Sequence, residues 1–250
     1  MNAADGAALT LNLVILSVAI AFAASYVHSA IGLGFGMLAT ATMTLYLSPV
    51  YTAAVLSLCI TVLGVIMVVR LWGSIDWKLA MPPALGMLLG KVIGVVALMQ
   101  LQIGSVKRLL GVVLIAFFLY FLFFEARFRI KPTPAKGFGL GILSGILGGL
   151  YNLAGPFVAI YFFPSTCDKY VYSASMNFAF LPAAVLGLLM HCWYGNMTPA
   201  LWVTGGLCSV AVAGGVFAGL ATFRLFNRAL LQRILYAYMA LIGLYTIIAG

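Results

Sequence analysis

The ten residues HSAIGLGFGM (His28–Met37) interrupt a stretch that otherwise has the composition of a membrane-spanning helix. Glycine recurs at 32, 34 and 36. In a helix interior each glycine costs roughly 0.8–1.0 kcal/mol relative to alanine. A chain that weakens its first long apolar stretch in this way needs a backbone conformation there that a continuous helix cannot supply.

The solvent follows from composition. Of 250 residues, 65% are hydrophobic and 7% charged, and the mean hydropathy is +1.18. A soluble domain carries about 25% charged residues, so this chain could not cover its own surface in water. Several apolar runs reach the roughly 20 residues that a spanning helix needs, and no alternating ten-residue segments of a membrane β-barrel occur. The expected fold class is an all-α polytopic membrane protein.

The net charge of +9 does not indicate nucleic acid, because the basic residues sit singly or in short clusters between apolar runs, as orienting loop charges do. Cys59, Cys167, Cys192 and Cys208 are widely spaced, with no CxxC and no histidine at ligand spacing. No metal site, cofactor or disulfide framework is expected from them. AFA (Ala21–Ala23) mimics a signal-cleavage site, but the segment before it has no Lys or Arg and carries Asp5. The first helix is therefore expected to stay.

Working outward from the break, the apolar runs fall into two similar halves. The first half, residues 1–124, has a helix near 9–30, the break, and a short piece at 36–47 ended by Ser48-Pro49. Helices near 51–70, 78–99 and 106–124 follow. A polar basic linker, EARFRIKPTPAK (125–136), leads to the second half, 137–250. That half opens with GFGLGILSGILGG (137–149), breaks at YNLAGP (151–156), and runs through a short piece at 156–163 to Pro164. Helices near 170–191, 198–222 and 229–249 complete it. Gly36 precedes Trp72 by 36 residues and Gly155 precedes Trp193 by 38; Gly94 and Gly219 each precede an arginine by 14. The shared order points to internal duplication.

Charge then orients the halves. If each contributes five segments, ten Lys or Arg (70, 78, 127, 129, 131, 136, 169, 224, 228 and 233) share one side, and Lys107 and Arg108 lie on the other. If helix and short piece formed one span, the same charges would divide six against six. The positive-inside rule selects the first arrangement. It makes the halves inverted repeats, each a broken, re-entrant helix hairpin plus three spanning helices, with a cytoplasmic linker and both termini periplasmic or extracellular.

Each short piece, of about 8–12 residues, rises about 12–18 Å against a hydrocarbon core of about 30 Å. Its broken backbone is tolerable only inside protein or against a wet cavity. Paired interruptions in two inverted halves point to a transporter site near the midplane. The helix starts near Gly36 and Pro156 would aim unpaired N–H groups into that cavity and favour an anion. The residues expected to bind are Ser29, Gly32, Gly34 and Gly36 from the first break and Tyr151, Asn152, Gly155 and Pro156 from the second. Gly34 and Gly155 are expected to hold positive φ. Helix packing alone is the competing explanation for the breaks, and it is the one adopted for glycines 141, 145 and 148.

Lys91 is the only charge deep inside a helical run. A lysine at a helix centre costs roughly 2.5–3.5 kcal/mol on insertion scales, so it either faces a cavity or snorkels to the interface. It is included in the expected anion site. GMLLGKV lacks the first glycine and the Ser/Thr of a nucleotide-binding loop (Leu85 and Val92 stand there). His28 precedes the first break and is a candidate proton relay; interior packing is the alternative. His191, at a helix end, reads as interfacial, and Asn177 as a hydrogen bond between helices or to substrate. All four acids, Asp5, Asp76, Glu125 and Asp168, fall in tails or loops, so neither a carboxylate sodium site nor an intramembrane hydrolase can be drawn.

The two stretches GILSGILGGLYNLAGPFVAIYFF (141–163) and HSAIGLGFGMLATATMTLYL (28–47) resemble the TauE/SafE-type sulfite and organosulfonate transporter family. The likeness in organisation runs from about residue 10 to 249. Family members commonly carry a denser glycine run before the proline, where this chain has Asn152-Leu153-Ala154-Gly155. The resemblance implies an inner-membrane secondary transporter, often an exporter, for sulfur-containing anions such as sulfite or sulfoacetate. The expected partners are that small anion and membrane lipid, and no nucleic acid; no enzymatic activity is expected. An anion channel with the same breaks, or a membrane protein relaying sulfur through a cysteine, are the alternatives.

Overall fold

The computed structural model of the protein describes residues 11–123, 132–163, 165–166, 168–222 and 228–249. Ten α-helices follow one another among them: α1 (Leu11–Ile31), α2 (Phe35–Met43), α3 (Pro49–Arg70), α4 (Trp77–Gln100), α5 (Ile103–Phe123), α6 (Pro134–Tyr151), α7 (Gly155–Phe162), α8 (Lys169–Trp193), α9 (Pro199–Thr222) and α10 (Arg228–Ala249). Helices α1, α3, α4, α8 and α9 are each long and apolar enough to cross a bilayer. The protein is a multi-pass α-helical membrane protein. Pro164, Cys167, most of the linker and the basic residues 127, 129, 131 and 224 lie outside the described residues.

The helix starts have local causes. Ser48 accepts from the Tyr51 N–H and Pro49 follows at the first helical position, where a missing N–H costs nothing. The Asp76 carboxylate accepts from Leu79 N–H at 3.1 Å, and Asp168 from Tyr170 N–H at 2.7 Å. Two of the chain's four acids thus serve as N-caps, satisfying amides that would otherwise be orphaned. The short helices α2 and α7 hold 9 and 8 residues, a rise of about 12–14 Å each.

The most extensive helix pairs are α4 with α6, α1 with α9 and α5 with α10; α4 also packs on α8, and α3 on both α8 and α9. Exchanging α1–α5 with α6–α10 maps these pairs onto one another. Lipid supplies no hydrophobic drive between helices, so packing must come from close backbone approach at small residues. The α4–α6 seam has this character on both sides. A methyl group at Gly86, Gly90 or Gly94 would strike the carbonyl oxygens of Phe138, Ile142 and Ile146 in turn. Facing them, one at Gly141 or Gly145 would strike the carbonyls of Pro83 and Met87, and one at Gly149 would lie 2.6 Å from Gly94 Cα.

Both glycine series step by four, so they form one stripe on each helix. The stripe on α6 is therefore 141, 145 and 149, rather than the 141, 145 and 148 expected from the sequence; Gly148 turns off the seam. The second seam places Gly215 and Gly219 of α9 against the Phe22 and Tyr26 carbonyls of α1.

Overpacking of a filled contact costs about 1–3 kcal/mol and more where backbone is struck. Gly90→Val and Gly145→Val are therefore expected to reduce the monodisperse fraction in detergent severely. Gly206→Val, where nothing lies within 4 Å of an added Cβ, is expected to behave as wild type. Fluorescence-detected gel filtration decides it, and equal losses at all three positions would contradict the seam.

Candidate functional site

The first break is made by two left-handed glycines, Gly32 at φ +92° and Gly34 at φ +118°. That region of backbone space is open to glycine and costly for residues with a Cβ. The Gly32 N–H closes α1 on the His28 carbonyl at 2.6 Å, and the Gly34 carbonyl opens α2 by accepting from Leu38 N–H at 3.0 Å.

The second break is built differently. Its left-handed residue is Asn152, at φ +55°; Gly155 has no positive φ, which corrects the expectation from sequence. Asparagine tolerates this conformation better than other side-chain-bearing residues. The Asn152 N–H donates to the Gly148 carbonyl at 3.0 Å and the Leu153 N–H to the Leu147 carbonyl at 3.3 Å, an end-of-helix closure of the kind usually given to glycine.

The two breaks touch. A Cβ at Gly36 would collide with the Asn152 carbonyl oxygen, so glycine at 36 serves close approach rather than torsion. Beside it, Thr40 Oγ1 donates to the Tyr151 carbonyl at 2.6 Å.

Lys91 reaches this junction from α4. It is only 3% exposed, so it does not snorkel. Its Nζ donates to the Gly148 carbonyl at 2.7 Å and to Asn152 Oδ1 at 3.1 Å. Gly187 of α8 makes room for it, since a methyl there would overlap the Lys91 stem. The other end of the Asn152 amide donates to the Ala53 carbonyl of α3 at 3.0 Å. One side chain in the second break therefore links α3, α4 and α6.

On the far wall, His28 Nε2 stands 3.1 Å from Asn177 Oδ1, and the Phe35 N–H donates to His28 Nδ1 at 3.4 Å. Asn177 is oriented by its own Nδ2, which donates to the Ser173 carbonyl at 2.8 Å.

Between these walls lies a cavity of about 50 Å³, where a single water needs about 10–15 Å³ of such space. Its polar lining is His28, Lys91, Asn152 and Asn177, with the starts of α2 (Gly34, Phe35, Gly36) and α7 (Ala154, Gly155). Met37, Leu63, Met87 and Phe180 supply apolar walls. Apolar walls with few converging polar groups are the usual character of a small-molecule site.

Of the residues singled out in the sequence, the structure brings His28, Gly34, Gly36, Lys91, Asn152 and Gly155 to the cavity. Ser29, Gly32, Tyr151 and Pro156 do not line it. Ser29 lies against Gly219 of α9, Gly32 against the Tyr172 ring, and the Tyr151 hydroxyl donates to the Val106 carbonyl at 3.0 Å. Pro156 opens α7. Ser144 accepts from the Val158 N–H at 3.0 Å, which serves α7 rather than the cavity. His191 is buried, at 1% exposure, with its Nδ1 3.1 Å from Asn196 Nδ2. Sequence reasoning missed Phe35, because its contribution is a backbone N–H.

A membrane protein in which two broken helices meet at a buried lysine, beside a small cavity, has the construction of a transporter. The sequence model of the sulfite exporter TauE/SafE family matches residues 17–246, and the chain belongs to that family. It is 27% identical over 230 residues to the probable sulfite/organosulfonate exporter TauE of Cupriavidus necator, an alignment covering 88% of each chain. No solved structure matches it.

The geometry separates two glycines that look equivalent in sequence. Gly36→Ala is expected to cut anion binding by more than tenfold and to lower thermal stability, because the Asn152 carbonyl must move. Gly155→Ala, whose Cβ would sit 3.5 Å from the Met37 methyl, is expected to stay within about twofold of wild type. Binding and unfolding midpoints of the two purified variants measure this, and the opposite ranking would contradict the crossed-break geometry.

Proposed function

We propose that the chain is a secondary transporter that exports sulfite or organosulfonate anions across the inner membrane by alternating access, binding the anion beside Lys91. Lys91 carries the proposal. It is a buried amine whose two partners, Gly148 O and Asn152 Oδ1, are both neutral. An ammonium has three donors, so one remains for a ligand. Among the described residues the acids are Asp76 and Asp168, both helix caps, and neither lines the cavity, so the natural counter-charge is a bound anion.

The starts of α2 and α7 add to the attraction. Each contributes up to about half an elementary charge by the usual dipole equivalence. Together with Lys91 they would balance a dianion. The relative's printed name, sulfite/organosulfonate exporter, supplies the substrate class. The exchange symmetry of the helix pairs and the charge asymmetry of the loops support inverted repeats with re-entrant α1–α2 and α6–α7 hairpins. Among the described cysteines none lines the cavity: Cys59 and Cys208 are buried and Cys192 is exposed, so they lend a sulfur relay no support.

Sulfite or sulfoacetate flux into proteoliposomes tests the function. Saturable, gradient-driven flux is expected; fast uncoupled conductance would make the protein a channel. Lys91→Met is expected to fold at least as well as wild type, since it removes a desolvated charge, and to lose at least tenfold in anion affinity. Lys91→Arg should retain part of that affinity, because charge survives while geometry changes. Unchanged affinity in Lys91→Met would remove the residue from the site.

Topology is tested by thiol labelling in cells. With Cys59, Cys167 and Cys208 replaced, native Cys192 is expected to react with an impermeant reagent from the periplasmic side. A cysteine at Ala135, in a background without the native four, should be protected there. The reverse pattern would overturn the inverted arrangement.

A further inference from the structure

We infer that His28 couples anion binding to the uptake of one proton: the neutral ring caps the first amide of α2, and protonation at Nδ1 hands that amide to the anion. This rests on the anion site proposed beside Lys91.

The hydrogen-bond network assigns the tautomer. Asn177 donates through Nδ2 to the Ser173 carbonyl, which turns its Oδ1 toward His28. An acceptor 3.1 Å from Nε2 requires Nε2–H. The other ring nitrogen receives the Phe35 N–H at 3.4 Å, so Nδ1 must be the lone-pair nitrogen. Both ring nitrogens are therefore occupied as a neutral imidazole, 5% exposed.

The amide that His28 holds is the one an anion needs. Gly34, Phe35 and Gly36 line the cavity, and Phe35 N–H is the first amide of α2, where anions bind best. In the neutral state the imidazole occupies it. A proton arriving from water and bonding to Nδ1 would set N–H against N–H, so the Phe35 contact breaks. Phe35 N–H and Nδ1–H would then both be free to donate to one anion oxygen. Departure of the anion reverses each bond change and returns the proton to water on that side.

The surrounding charges make the two events depend on each other. Lys91 faces His28 across the cavity from α4, and Tyr172 of α8 lies against the neighbouring Gly32. Cys59 of α3 and Cys208 of α9 meet each other, Tyr238 of α10 bonds Thr42, and α2 carries no titratable side chain. No carboxylate lines the cavity. A protonated His28 would thus share a small cavity with a second cation, and a bound anion is the counter-charge that relieves this. By linkage, whatever favours the proton in the presence of anion favours the anion in the presence of proton. Proton and anion then cross together.

The test uses the full-length protein in detergent and sulfoacetate as probe, because both its acid groups stay ionised near neutral pH. In weakly buffered solution at about pH 7, binding is expected to take up close to one proton per anion. Affinity should rise roughly tenfold per unit fall in pH within the coupled range. His28→Gln, whose amide can accept from Phe35 N–H and donate to Asn177 without titrating, is expected to bind with no proton uptake. Wild type alone is sufficient if that variant misfolds. Binding without proton uptake in wild type, or undiminished uptake in His28→Gln, would overturn the coupling while leaving the anion site intact. Failure of wild type to bind sulfite, thiosulfate or sulfoacetate at any pH would overturn the site itself and the coupling with it.

Discussion

A lysine side chain buried inside a membrane protein, with only neutral oxygens to hold its amine, is the constraint on which the rest of this structure depends. Burying such a group is costly unless it is hydrogen-bonded and its charge is answered. The hydrogen bonds come from the second break: Gly148 and Asn152 face Lys91 because α6 ends there and the chain turns left-handed at Asn152. The Gly148 carbonyl accepts both the last helical amide, Asn152 N–H, and Lys91, whereas a helical φ at 152 would turn the Asn152 amide elsewhere. The break that ends α6 therefore also supplies both hydrogen-bond partners of Lys91, and in the proposed function a bound anion answers its charge.

Holding two interrupted helices against each other requires a rigid frame, and glycine seams supply it. The α4–α6 stripe brings Lys91 within reach of Gly148, and the α1–α9 stripe holds the end of α1 at the site. The contact between Gly36 and Asn152 then sets the depth at which the breaks cross. The same small residues leave little tolerance for change at the seams, whereas much of the lipid-facing surface consists of exposed large apolar side chains. Precision and permissiveness are thus separated by which face of a helix a residue occupies.

Much of this was legible in the sequence. Apolar run length gave the helix order, with ends displaced by only a few residues, because hydrocarbon thickness fixes helix length. The paired breaks and the one deep lysine were visible because each violates an otherwise monotonous pattern. Backbone geometry was less legible. Gly155 looked like a left-handed residue because it is glycine, yet the conformation falls at Asn152, whose short amide also serves three helices. Ser29 and Tyr151 look polar and near the breaks, but helical phase turns them toward α9 and the Val106 carbonyl. The Phe35 amide left no side-chain signal at all, and the pairing of His28 with Asn177 spans 149 residues, which no local pattern encodes.

The central claim is positional: the substrate anion sits between Lys91 and the start of α2. The most direct measurement is a crystal structure with bound selenite, a heavier analogue of sulfite whose selenium scatters anomalously. The account predicts an anomalous peak in the cavity, with a selenite oxygen about 2.7–3.2 Å from Lys91 Nζ and on the Phe35 side. A peak confined to the basic loops, with the cavity empty at saturating selenite, would contradict it.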